Sequence, residues 1–174
     1  YSKSLKKNII LKSLNKNEYL RFNLSLILCF IRGINSNFEP NEDSLCKEKY
    51  ALESAKMLTS LIFQEALCSF GQDLKHEQQL SENLADMFTH IFTAESVIAR
   101  VQQTLSQNEK SLMTLNIAKI DVAESLLDIT QMSSKCLNRI FSEETPKDIA
   151  TSVNELTTKM KLFTDTIKYK KELG

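Results

Sequence analysis

The chain has 174 residues, 22 Lys and Arg against 22 Asp and Glu, and 42% hydrophobic residues. That apolar content excludes a disordered polymer and suits a core able to fold without staples, while a formal net charge of zero lacks the basic footprint of a nucleic-acid binder. Three Gly and two Pro leave little turn chemistry for a sheet, so the composition predicts an all-α chain.

The predicted architecture is a four-helix, mostly antiparallel bundle over residues 45–174, preceded by an N-terminal helical segment and linker over 1–44. In the preface, Leu5, Ile9, Ile10 and Leu14 recur at helical spacing, with Lys3, Lys6, Lys7 and Lys12 as a solvated basic edge. A second preface helix carries Leu20, Leu24, Ile27, Leu28 and Ile31. Arg21 and Arg32 bracket that apolar run, which is roughly half the length of a bilayer span. Residues 33–44, with Asn35, Asn37, Pro40 and Asn41, read as loop. A start at Tyr1 rather than Met reads as a fragment of something longer.

The first bundle helix is expected over 45–70, with Ala51, Ala55, Leu58, Ile62, Ala66 and Phe70 on one broad face. Gly71 ends or kinks it. Leu80, Leu84, Met87, Phe88, Ile91, Ile98, Val101 and Leu105 mark the second helix. A third, over about 109–141, turns Leu112, Leu115, Ala118, Val122, Leu126, Ile129, Met132, Cys136 and Ile140 inward, with Asp121, Glu124 and Asp128 on its polar side. For the fourth, Thr145 is the expected cap, Pro146 the first-turn residue and Asp148 the closing member of a capping box. Its stripe is Ile149, Val153, Leu156, Met160, Phe163 and Ile167, and Lys168, Lys170 and Lys171 complement its negative end.

No constellation of residues supports catalysis from its spacing, although a nucleophile and a base can meet in the fold without a sequence pattern. Cys29, Cys46, Cys68 and Cys136 lack a C-x-x-C spacing and read as reduced thiols of an intracellular protein. His76 and His90 lack the Glu-x-x-His pairs of a di-metal bundle. Asp86 and Glu95 flank the second helix's stripe, with Arg100 close to Glu95. A carboxylate at a helix interface must find a donor or hold its proton, and an interhelical ion pair or a capping contact is the simpler role than ligand contact. With Gly33, Gly71 and Gly174 alone there is no phosphate cradle. Tyr19, Phe22, Phe30, Phe38, Tyr50 and Tyr169 are candidates for a partner surface, with Phe22 and Phe30 better explained as packing. Catalytic, cofactor-binding and metal residues are all expected to be absent from this chain.

One segment carries a resemblance. Over residues 63–105, Phe70 and Gly71 are followed by Lys75, Glu77 and Gln78 or Gln79, then by Leu80, Leu84, Ala85 and Asp86. Ile91, Phe92, Thr93, Ala94, Ile98, Ala99 and Arg100 close the pattern. This resembles the C-terminal helical extension of very-long-chain-type acyl-CoA dehydrogenases. Val122, Ala123 and Glu124 resemble a second, weaker match, and Glu95 departs from the commoner methionine toward the bacterial variant. The resemblance reaches over residues 49–174 and not over 1–40. It implies that the catalytic glutamate, the FAD contacts and the acyl-CoA channel lie in a preceding dehydrogenase domain. That domain would be this chain's partner within a homodimer, cytoplasmic in a bacterium and mitochondrial in a eukaryote. In the mitochondrial enzymes the extension also aids membrane association, although the neutral charge here gives no electrostatic basis for it. The alternatives are a stand-alone helical binding or scaffold module and a metal or cofactor enzyme on a bundle.

Overall fold

The computed structural model describes residues 45–106, 112–142 and 144–162. Four α-helices and one short 3-10 helix make up the described chain, with no strand among the described residues. The fold is an all-α four-helix bundle. The preface, with Cys29, Phe22 and Phe30, lies outside the described residues.

Helix α1, Cys46–Phe70, runs without an interior Gly or Pro. Its buried positions include Glu48, Ser54, Lys56, Ser60 and Gln64 as well as the apolar face, so its middle turns are enclosed on most sides, while Lys47, Tyr50, Cys68 and Ser69 toward its ends are exposed. Small hydroxyl residues allow close approach there. The hydroxyls of Ser54 and Ser60 donate to the carbonyls of Tyr50 and Lys56, at 3.2 and 2.8 Å, which satisfies them without a partner on another helix. Gly71 then stops α1 with φ +54°, a left-handed backbone that favours glycine, and its N–H bonds the Leu67 carbonyl. The chain does not kink onward in a single helix. Gly71–His76 winds as a 3-10 helix, and α2, Gln78–Ser106, begins after Glu77. The Ser81 hydroxyl ties α2 to this corner by donating to the Leu74 carbonyl at 3.1 Å.

Helix α3 is Leu112–Ile140 and α4 is Lys147–Met160. Contacts fix their directions. The Phe63 ring meets Phe88 edge to face at 5.8 Å, and Lys56 pairs with Glu95, so α1 and α2 are antiparallel. Glu77 meets Arg139, and His90 faces Asp128, so α2 and α3 are antiparallel as well. The start of α1, the end of α2 and the start of α3 therefore share one end of the bundle. α2 and α3 pack against each other and on one side of α1, while α4 packs chiefly on α1. One contiguous core runs through all four, from Leu58 and Ile62 through Met87, Ile91, Val122 and Ile129 to Val153 and Leu156.

Three expectations need correction. Leu112, expected inward, is 70% exposed in the first turn of α3. The capping box on α4 does not form. Pro146 itself is the cap residue, with extended backbone (φ −52°, ψ 139°) and no side-chain capping bond. Its carbonyl accepts from Ala150 N–H. The helix thus starts one residue later, and Thr145 falls outside the cap. At its other end α4 stops at Met160, and Lys161 takes extended backbone. The hydroxyls of Thr157 and Thr158 donate to the carbonyls of Val153 and Asn154, as those of Thr89, Ser96 and Thr130 do inside the longer helices. Phe163, Ile167, Lys168, Lys170 and Lys171 lie outside the described residues.

Candidate functional site

The most developed polar feature lies between α1 and α2. Lys56 sits within the enclosed surface of α1, its side chain 7% exposed. An ammonium buried there must be paired. It donates to Glu53 Oε1 at 2.9 Å, one turn back on α1, and pairs across the interface with Glu95 of α2. Burial alone would lower the Lys56 pKa, but the bonds to Glu95 and Glu53 outweigh it and hold the ammonium above its usual range. A lysine held protonated in this way is a poor base and a poor nucleophile. The pairing is a latch between helices.

That latch forms one wall of a groove of about 300 Å³ floored by Leu52, Ile98 and Ala99 and rimmed by Lys49, Glu53 and Gln102. This is at the small end of ligand clefts. Two carboxylates and a buried ammonium engaged with each other leave the wall little charge for an anionic ligand.

Glu95 thus takes the interhelical ion pair expected of it, with Lys56 of α1 rather than the nearby Arg100. Arg100 and Asp86 are exposed. His76 is exposed on the 3-10 turn, far along the chain from His90. His90 instead faces α3, its Nε2 3.9 Å from Asp128 Oδ2. Asp121, on the same seam, has its Oδ2 buried with no hydrogen-bond partner. Burial raises its pKa, the charge of Glu124 adds to that, and His90 offsets part of it. Among the described residues no group of three or more His, Cys, Asp or Glu could hold a metal ion. Cys46 and Cys136 are buried and Cys68 is exposed. Burial pushes the Cys136 thiol up to about 11, with a small offset from Lys135, which leaves it unreactive at neutral pH.

The second polar cluster ties the opposite end. Arg139, in the last turn of α3, gives two hydrogen bonds of 2.7 Å to the Glu77 carboxylate. Its guanidinium lies 5.7 Å from the centre of the Phe70 ring. One side chain therefore joins the ends of α1 and α3 and the start of α2.

Sequence reasoning missed Lys56 and Arg139. A signal for Lys56 existed, a lysine set between Ala55 and Leu58 in an otherwise apolar and small-residue face. Arg139 gave none, since its partner is distant in the chain. Neither cluster offers what a flavin nucleotide needs. The one described glycine, Gly71, opens no helix N-terminus onto a cleft, and the groove wall is closed by its own ion pairs. The described residues do not fit that cofactor.

Among the described residues no helix is long and apolar enough to cross a membrane.

Residues 54–153, from the third turn of α1 into α4, match the family described as acyl-CoA dehydrogenase, C-terminal domain. The chain is 22% identical over 121 residues to a probable acyl-CoA dehydrogenase of Bacillus subtilis (strain 168), covering 68% of this chain and 20% of that protein. The crystal structure of an acyl-CoA dehydrogenase complexed with FAD from Bacillus anthracis superposes with a TM-score of 0.68 at 17% identity. That match covers 86% of this chain and 26% of the other, so the chain spans only about a fifth to a quarter of these relatives' length. A bundle whose ion pairs join helices, and whose sequence matches over more than half its length, belongs to the acyl-CoA dehydrogenase C-terminal domain family.

Proposed function

We propose that this chain is the accessory helical domain of a flavin-dependent acyl-CoA dehydrogenase of the very-long-chain type, whose full-length form oxidises fatty acyl-CoA to enoyl-CoA. The observation that supports this reading is the family match over residues 54–153, which takes in the interhelical pairs Lys56–Glu95 and Glu77–Arg139. The chain's own residues supply packing. Lys56 and Glu95 lock α1 to α2, and Arg139 locks the corner of α1, α2 and α3. FAD, the catalytic glutamate and the acyl-CoA channel belong, in this reading, to a dehydrogenase body outside these 174 residues. The bundle shields apolar surface of that body and shapes a homodimer, in the cytoplasm of a bacterium or the mitochondrion of a eukaryote.

The test is purification of the full-length protein that contains this chain. Bound flavin in its visible spectrum, with acyl-CoA-dependent reduction of an electron acceptor, is the expected result. A full-length protein without a dehydrogenase domain, or one that binds no flavin, overturns the reading and favours a stand-alone scaffold.

A further inference from the structure

The inner face of α3 is occupied by the core, through Ala118, Val122, Leu126, Ile129 and Cys136. A second apolar row runs along its far side. Met113, Ile117 and Ile120 follow one another at spacings of four and three, and Leu127 continues the same helix face beyond the exposed Glu124. Met113, Ile117 and Leu127 are 56%, 47% and 57% exposed, with Leu112 beside them. Ile120, in the middle of the row, is only 8% exposed, yet it is not part of the contiguous core. Asn116, one turn before it, is 3% exposed. A helix with two apolar faces, one already filled, calls for a second packing partner.

We propose that this outer row of α3 is the docking surface for residues 18–32 of the same chain. Three observations favour that occupant. Leu20, Leu24, Ile27, Leu28 and Ile31 form an apolar stripe of matching helical period. The chain enters α1 at Leu45, at the same end of the bundle as Leu112, Met113 and Ile117. Residues 33–44 can span up to about 40 Å when extended, several times the roughly 8–10 Å between packed helix axes. A segment tethered so close reaches the row at high effective concentration, which an outside partner does not. Both surfaces lie in this chain, so the inference does not depend on the dehydrogenase assignment.

A double-mutant cycle in the full 174-residue chain tests it, with Ile117→Asp, Ile27→Asp and the pair compared by urea unfolding. Each single change is expected to raise the unfolding constant. The double change should raise it about 10-fold less than the product of the two, as contacting residues do. Effects that multiply to within about twofold overturn the proposal. So does a concentration-dependent dimer in light scattering that Ile117→Asp alone dissolves, because a second copy then covers the row. Where an aspartate prevents folding, Ile117→Ser and Ile27→Ser carry the same cycle.

Discussion

Thr59 and Lys56 show how differently one helix treats two buried polar groups. Lys56 carries a charge and holds two carboxylates. Thr59 is fully buried on the same helix, and its Oγ1 has no hydrogen-bond partner, although Ser54 and Ser60 beside it bond back to carbonyls four residues earlier. A buried hydroxyl without a partner costs about 1–3 kcal/mol in lost hydration. Thr59→Val keeps the shape and removes that group, so it is expected to stabilise the bundle by about 1 kcal/mol. A higher urea midpoint at an unchanged slope is the readout. A lower midpoint would mean that the hydroxyl is satisfied and that the site is not an orphan. Cys136 makes the contrast complete, since a neutral thiol enters the core with its pKa raised and needs no partner.

At the level of elements, helix identity was legible because period and length agree. The stripe of α2 from Leu80 to Val101 is buried as its spacing predicts, apart from the half-buried Phe88, and Gly71 stops α1 where a left-handed backbone is required. Ends were less legible, because they depend on groups that compete over one or two residues. Thr145 lost the cap of α4 to Pro146, and Lys161 leaves the helix with no Gly or Pro to mark the stop. Glu95 could be placed at an interface from its spacing, but its partner Lys56 could not, since a pairing across helices leaves no local pattern. The corner held by Glu77 and Arg139 is the least visible of all and the most testable. Two hydrogen bonds from Arg139 hold the Glu77 carboxyl below its ordinary range. A group lowered in this way contributes stability above its unfolded pKa and loses it as pH falls through the folded one. Glu155, lowered by Lys159, acts in the same sense. Asp121, raised by burial, acts in the opposite one: its contribution is present at low pH and lost as pH rises through its folded value. Urea midpoints of the native chain should therefore fall on acidification below the ordinary carboxylate range, and Arg139→Ala should flatten that fall. An equally steep acid loss in the variant would remove Glu77 from the account.

For the whole molecule, the unequal packing of the helices sets the order in which it opens. α1 packs against each of the other three, and α2 and α3 share their most extensive interface with each other. α4 is about half their length and packs chiefly on α1, holding on through Ile149, Val153, Leu156 and Met160. Local opening has a low free energy where few apolar contacts must be broken. Amides of α4 should then exchange with solvent through an opening that leaves α2 and α3 protected. Leu156→Ala deletes a side chain 3% exposed, a change that costs about 2–5 kcal/mol in a core. It should speed exchange in α4 by a large factor while α2 and α3 keep their native protection at the same denaturant. Leu58→Ala, at the centre of α1, should instead lower protection in all four helices together, because each of them rests on that helix. If α4 exchanges only by global unfolding, with the same free energy as α2 and α3, then it is held by more than α1, and the bundle opens as a single unit.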